Sequence, residues 1–386
     1  MKKIIILLFI TILTLFNISI CAENITDGNL DVSVEEKNIC PNAKSAILFE
    51  GKTNSLLYEQ DMNLRLPPAS MTKIMTLLLI YEALEKNVIN METVVTISEE
   101  AKSQEGSKAF LSVGEQITVE ELIKCICIAS ANDAAVAMAE TIYGSEEEFV
   151  IKMNSKVKEL GLNNTYFSDC TGLSSKNHYT SAYDMAIISD YLLDKYPSVL
   201  EYTNLKEDYI RKDTNKPFWL VNTNKLLGKV DGINGLKTGY TSFSGYCITL
   251  HMEKNNLKLI SVVMGYKDSK VRNGESVKLL QFGANNYKLE TIVKKEDVIK
   301  SVDSLLYKTK INITVEEDIC ILVKKGENIN YNYIVNYELG DKFSGYFELY
   351  VNDNLIKKYP LVIKEELEKR NIFEITLYLF KKIFIC

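Results

Sequence analysis

The chain has 386 residues, 46% of them hydrophobic and 25% charged, which excludes a disordered polymer and leaves room for more than one domain. Its 45 basic residues stand against 51 acidic ones, a net charge of -6, so no electrostatic footprint for nucleic acid is present and no nucleic-acid partner is expected. With only two histidines, His178 and His251, and cysteines scattered without a CxxC, neither a metal site nor a cofactor is expected.

In chain order, residues 1–22 carry two lysines, an apolar run from Ile4 to Phe16 and then small residues, which is the plan of a secretory signal peptide. The run is well short of the ~20 residues that span a bilayer. Export to the outer face of the cytoplasmic membrane or the cell wall is the expectation. A lipoprotein reading at Cys21 competes, although Ile20 is a poor fit for the small residue that lipid attachment prefers. Residues 23–43 read as a linker. The seven cysteines that follow the signal are odd in number, and Cys125 and Cys127, two apart in an apolar helical run, read as buried small hydrophobes.

From 44 to 288 the pattern alternates. Ser45–Glu50 and Leu56–Glu59 read as a hairpin and Met71–Lys86 as a helix. Thr118 with Glu121 and Ser145 with Glu148 form capping boxes before Leu122–Ile128 and Phe149–Leu160. Thr180–Tyr196 is a further helix. Leu236–Thr241, Gly245–Glu253 and Leu257–Tyr266 read as antiparallel strands, and Asp268–Lys288 as a closing helix. This predicts an α+β domain, an antiparallel sheet flanked by helices.

From 289 to 364 short alternating runs (Ile311–Val315, Ile319–Val323, Tyr331–Tyr337, Phe343–Val351, Ile356–Ile363) predict a small all-β domain. Residues 365–386 end the chain as an amphipathic helix. Asn371, Glu374, Lys381 and Lys382 share one arc, and Phe373, Ile375, Leu377, Leu379, Phe380, Ile383 and Phe384 take the other side. Such a helix lies in a membrane interface rather than through it, a membrane surface being the implied partner; the alternative is a terminal helix docked on the protein's own core.

Ser-x-x-Lys on a helix places a nucleophile and a base on one face. The pattern occurs twice, at Ser70–Lys73 and Ser155–Lys158; Ser-x-Asn also occurs twice, at Ser130–Asn132 and Ser175–Asn177; Lys237-Thr238-Gly239 occurs once, at a strand start. Ser70 follows Pro67-Pro68-Ala69 and so opens its helix, where backbone N–H groups can meet an oxyanion. Ser155 and Lys158 lie in a charged helix and read as surface residues. Taken singly, Ser130 and Asn132 could be helix caps and Lys237 a surface residue. His178, in a loop before a helix, reads as structural rather than as a base.

Pro67-Pro68-Ala69-Ser70-Met71-Thr72-Lys73, Ser130-Ala131-Asn132-Asp133-Ala134-Ala135 and Lys237-Thr238-Gly239-Tyr240-Thr241 resemble the three motifs of the penicillin-recognising serine enzymes. Leu160-Gly161-Leu162, Thr171-Gly172-Leu173 and His178–Ala186 narrow the resemblance to low-molecular-mass penicillin-binding proteins of the D-alanyl-D-alanine carboxypeptidase type. It implies a β-lactamase/transpeptidase-like fold and a peptidoglycan stem peptide ending in acyl-D-Ala-D-Ala as substrate, with β-lactams as inhibitors. It further implies catalytic roles for Ser70 (nucleophile), Lys73 (base) and Ser130 (proton shuttle). Asn132, Lys237, Thr238, Gly239 and Tyr240 would bind substrate, with the N–H groups of Ser70 and Tyr240 as the oxyanion hole. An ordinary lysine is protonated at neutral pH, so Lys73 needs burial or a nearby charge, and Lys237 could be that charge. Two departures stand out: Ala131 where many relatives carry Gly, and a segment 174–177 without the Pro common there. Two other readings share motifs. A class A β-lactamase would add a catalytic Glu, for which Glu159 has the matching spacing, and a non-catalytic sensor would keep Ser70 without turnover.

Overall fold

The computed structural model describes residues 38–173, 177–212, 214–339 and 343–384; residues 1–22, where a signal peptide is expected, and Ser175 lie outside these described residues. At the centre is a five-stranded antiparallel sheet in the order Ser55–Gln60, Ser45–Glu50, Leu257–Tyr266, Gly245–Lys254, Ile233–Thr241. The hairpin expected from residue 45 forms, and its first strand pairs far along the chain, Ser45 opposite Met264 and Glu50 opposite Leu259.

Strand residues alternate between two faces, and here both faces are covered. Ile47, Phe49, Ile260, Val262 and Met264 enter one hydrophobic cluster with the helices Lys73–Glu85, Asn132–Tyr143 and Ala182–Lys195. Ala46, Leu48, Ile248, Leu250, Leu259 and Val263 enter a second with Leu279, Leu280 and Ala284 of the helix Ser269–Asn286. The Lys73–Glu85 helix is buried from Lys73 through Ala83. A helix apolar all round belongs in a core, and this one carries its first residue, a lysine, in with it.

Local chemistry sets the element ends. Thr118 Oγ1 accepts the Glu121 N–H (3.3 Å) and Ser145 Oγ the Glu148 N–H (3.2 Å), as the capping boxes predict. The run expected as one helix over Leu122–Ile128 instead divides: Val119–Lys124 is α-helical, Cys125–Ala129 widens into a π-helical turn, and Ser130 terminates it in the left-handed conformation at φ 61°. Extra residues per turn aim the following backbone at the neighbouring loop, where the Asn132 N–H bonds to the Ser107 carbonyl (2.7 Å). The closing helix ends at Asn286, earlier than the periodicity suggests, because the chain becomes extended at Tyr287 and Tyr287–Val293 pairs with Ile319–Lys324. Tyr209 and Trp219 sit opposite each other in a hairpin, Glu207–Ile210 with Phe218–Val221, that the sequence reading did not contain.

Beyond the sheet of the first 286 residues the chain is all β up to Ile363, and Ile311, Ile313, Ile321, Phe347, Leu349 and Leu361 form a hydrophobic cluster of their own. The terminal helix Ile372–Phe384 follows, tethered at its start by Glu374 to Lys308 (3.2 Å). Its Phe373, Leu377, Phe380 and Ile383 are exposed rather than packed on the protein's own core. Among the described residues no helix is long and apolar enough to cross a membrane. Cys125 and Cys127 are buried and unpaired, as their setting predicts.

Asp133 joins the core to the loop beside Asn132, and both its oxygens are spent on backbone: the Ala109 N–H (3.0 and 3.1 Å), the Leu111 N–H (3.1 Å) and the Ala134 N–H (2.9 Å). Removing it strands buried donors, each costing ~1–3 kcal/mol. Asp133→Ala is therefore expected to lower unfolding stability by about 3 kcal/mol in urea titration; a loss under about 1 kcal/mol would show that the loop does not depend on this carboxylate.

Candidate active site

Ser70 lies in a tight 3-10 turn, Ala69–Thr72, that leads into the Lys73–Glu85 helix, so the helix opening expected at Ser70 is tighter than an α-turn. Ala69 has φ +49°, a left-handed conformation that residues with a Cβ adopt only when their surroundings impose it. The surroundings are two glycines. A Cβ on Gly172 would stand 1.8 Å from the Ala69 carbonyl oxygen, and one on Gly239 would stand 2.6 Å from the Pro68 carbonyl and 3.2 Å from Ala69 Cβ. The strand bearing Lys237-Thr238-Gly239 and the loop bearing Thr171-Gly172 thus close on the serine turn from two sides.

Lys73 is fully buried. Its Nζ lies 2.6 Å from Asn132 Oδ1, 2.8 Å from the Thr171 carbonyl and 3.2 Å from Ser70 Oγ. Asn132 is fixed at its other end, where Nδ2 donates to the Glu105 carbonyl (2.5 Å). The first two partners of Lys73 only accept, so they take two N–H groups; the third is a hydroxyl that can itself donate. A neutral amine, with two hydrogens and one lone pair, matches that set: both hydrogens go to carbonyls and the lone pair faces the Ser70 hydroxyl. Burial pulls the Lys73 pKa down to about 8, against the weaker upward pull of Cys170, Asp169, Asp133 and Glu146. Of the two causes that the sequence left open, burial is the one that acts; the charge of Lys237 is not among those that move Lys73.

Lys237 is also buried, and among the described residues its ammonium reaches only the Thr238 carbonyl (3.1 Å). Burial first, then Lys73 and Arg272, push its pKa well below the ordinary lysine value. Among the described residues no carboxylate pairs with either lysine. Thr238 Oγ1 donates to Thr223 Oγ1 (2.7 Å), and Tyr240, half exposed, stacks its ring on Tyr246 with centroids 4.2 Å apart. Ser130 is 3% exposed and stands two residues before Asn132 at the end of the π-helical turn. The three motif stretches therefore converge. The duplicate motif does not join them: Ser155 Oγ donates to the Ile151 carbonyl of its own helix on the surface, and Lys158 is exposed.

Several participants escape motif reading. The Thr171 carbonyl is a backbone group, and Thr223 follows the unpredicted hairpin. Asp169, whose Oδ1 accepts from the Thr171 N–H (2.7 Å) and the Gly172 N–H (2.5 Å), shapes the turn that presents Thr171; an Asp three residues before a Gly is the local signal for it. His178 is buried and bonded to Thr72 rather than facing Ser70, in keeping with a structural reading.

Comparison with known proteins agrees with this geometry. A family model, Peptidase S11, described as D-alanyl-D-alanine carboxypeptidase, matches residues 32–268. The D-alanyl-D-alanine carboxypeptidase DacF of Bacillus subtilis is 46% identical over 337 residues, covering 85% of this chain and 86% of that protein. Among solved structures, penicillin binding protein 5 of Haemophilus influenzae superposes with a TM-score of 0.72 at 30% identity, over 84% of this chain and 97% of that one. Penicillin-Binding Protein D2 of Listeria monocytogenes in an ampicillin-bound form superposes at 0.57 and 28% identity, over 63% of this chain and 97% of that one. By the extent of these matches, and with its three motifs gathered around one serine, the chain belongs to the Peptidase S11 family of D-alanyl-D-alanine carboxypeptidases.

Proposed function

We propose that the protein removes the terminal D-alanine from peptidoglycan pentapeptide stems through an acyl-enzyme on Ser70, and that β-lactams acylate the same serine. The observation that carries this reading is the Lys73 amine, buried between two carbonyl acceptors and 3.2 Å from a serine hydroxyl. The names of the relatives support the substrate class, and the ampicillin-bound Listeria neighbour supports the inhibitor class.

The geometry around Lys73 and Ser70 supports the following steps. Neutral Lys73 takes the Ser70 proton as Oγ attacks the carbonyl between the two D-alanines. The oxyanion that forms is met by the N–H groups of Ser70 and Tyr240. Ser130 passes a proton to the departing amine, the peptide bond breaks, and D-alanine leaves. Water then attacks the ester, giving up a proton to the base and releasing the shortened stem with Ser70 restored. Among the described residues Lys237 has no acid partner, so the substrate's terminal carboxylate is its natural counterion, with Thr238 as a further donor once its hydroxyl turns from Thr223 and Asn132 holding the substrate amide. Gly239 leaves room for the strand to approach the serine turn.

A β-lactamase would need a glutamate aimed at the acyl-enzyme, and Glu159 is not available for it. Its carboxylate bonds to Lys156 (2.7 Å), which also holds Glu82 (2.6 Å), nine residues and ~13 Å along the helix from Lys73. For location, we propose export through residues 1–22, a catalytic domain at 44–288, a β domain at 289–364 and an anchoring helix at 365–386 on the outer face of the cytoplasmic membrane. The uncovered apolar side of Ile372–Phe384 supports the last of these.

Three outcomes are expected. Ser70→Ala abolishes labelling by a fluorescent penicillin and lowers D-alanine release from diacetyl-L-Lys-D-Ala-D-Ala by roughly 10^4-fold or more, with an unchanged melting temperature; labelling of the parent protein without any release would instead make it a sensor. The acylation rate at subsaturating peptide rises with pH, is half-maximal at about 8 and levels off roughly one unit above it, because the base works only when deprotonated; a rate falling over pH 6–8 would exclude Lys73 as the base. Truncation after Arg370 abolishes sedimentation with phosphatidylglycerol-containing vesicles while peptide hydrolysis stays within about twofold; unchanged sedimentation would remove the anchoring role.

A further inference from the structure

The peptide unit that joins Ala69 to Ser70 carries two groups that point in opposite directions, because a trans amide is planar. One is the Ala69 carbonyl; the other is the Ser70 N–H. Whatever fixes the carbonyl fixes the N–H. Thr72 Oγ1 donates to the Ala69 carbonyl at 2.8 Å. The same hydroxyl lies 2.8 Å from His178 Nε2.

The direction of that second bond follows from the other side of the ring. The Ser168 N–H donates to His178 Nδ1 (3.1 Å), which must then carry a lone pair, so the neutral ring bears its proton on Nε2 and donates it to Thr72. Burial lowers the His178 pKa and favours that neutral form, and Phe167 packs edge-on against the ring at 5.6 Å. Every donor in the series is thereby assigned: Ser168 N–H to His178, His178 to Thr72, Thr72 to the Ala69 carbonyl. Hydrogen bonds in such a chain polarise one another, and the last of them withdraws electron density from the amide whose N–H belongs to Ser70.

We propose that Thr72 and His178 are positioning residues for the oxyanion hole, holding and polarising the Ser70 N–H through the Ala69 carbonyl on its reverse side. This rests on the reading above in which that N–H meets the oxyanion. The arrangement gives a reason for the backbone at Ala69, which is held left-handed with its carbonyl confined between Thr72 Oγ1 and Gly172, where a Cβ would stand 1.8 Å from the oxygen. It also gives a use to a buried histidine whose ring nitrogens are both engaged away from Ser70 and Lys73, so that it has no site from which to act as a base.

The test uses the full chain with Thr72→Val, Thr72→Ser and His178→Phe. Thr72→Val keeps the shape and loses the donor; loss of one oxyanion donor outright costs about 10²–10³-fold in kcat, and misalignment is expected to cost about 10–100-fold in acylation rate with a smaller change in KM. Thr72→Ser restores the rate to within about threefold, and His178→Phe falls between the two. The decisive readout is inhibition by a peptidyl boronic acid, whose adduct with Ser70 carries a tetrahedral oxyanion. If the proposal holds, its inhibition constant worsens across the variants by the same factor as kcat/KM, as transition-state binding requires. Acylation of Thr72→Val within about threefold of the parent, or a slowed variant whose boronate affinity is unchanged, overturns the inference. Failure of the underlying reading looks different: the parent protein itself would not be acylated, or Ser70→Ala would still release D-alanine.

Discussion

A lysine amine held in a dry pocket, with no carboxylate among the described residues to neutralise it, is the constraint around which the region of the central sheet is organised. Moving Lys73 from 10.5 to about 8 corresponds to a cost on the order of 3 kcal/mol for the charged form, which must be met by the rest of the fold. The Lys73–Glu85 helix meets it by being buried on all sides, so the lysine cannot reach water without dislodging a core element. Asn132 Oδ1 and the Thr171 carbonyl then satisfy the N–H groups without supplying a negative charge that would restore protonation.

The same pocket has to admit three backbone segments around one serine turn. Gly172 and Gly239 make the close approaches possible, and left-handed Ala69 and Ser130 turn their neighbours toward the site. Such departures from backbone preference tend to cluster where geometry serves chemistry, and here each adjoins a motif residue. The flanking carboxylates are assigned to backbone rather than to lysines: Asp133 to the amides of Ala109 and Leu111, Asp169 to those of Thr171 and Gly172. Acids that would otherwise quench the amine are converted into supports for the loops that surround it.

Much of this was legible in the sequence where a side chain or a periodicity carries the signal. The antiparallel strands and the capped helices follow from residue types and periodicity, and the convergence of Ser70, Lys73, Asn132 and Lys237 from the resemblance that their motifs carry. What was hidden depends on the backbone. The Thr171 carbonyl has no side-chain signature, and the π-helical turn at Cys125–Ala129 leaves an apolar run looking like an ordinary helix. The hairpin Glu207–Ile210 with Phe218–Val221 has short strands joined by a polar stretch, too little periodicity to register. The residue types leave burial and a nearby charge both open as the cause of the Lys73 shift: proximity of Lys237 can be guessed from the motifs, whereas complete burial depends on packing from elements distant in sequence. Residues 174–176, which contain Ser175, lie outside the described residues.

The account turns on the protonation state of one side chain in the resting protein. Titration of the Lys73 ammonium by heteronuclear NMR, with its resonance identified by its loss in Lys73→Arg, reads that state without reference to turnover. An apparent pKa near about 8 is expected for the ligand-free protein. A value at or above the ordinary 10.5 would mean that the amine is charged throughout the working range, and the role assigned to the buried carbonyl cradle would be wrong.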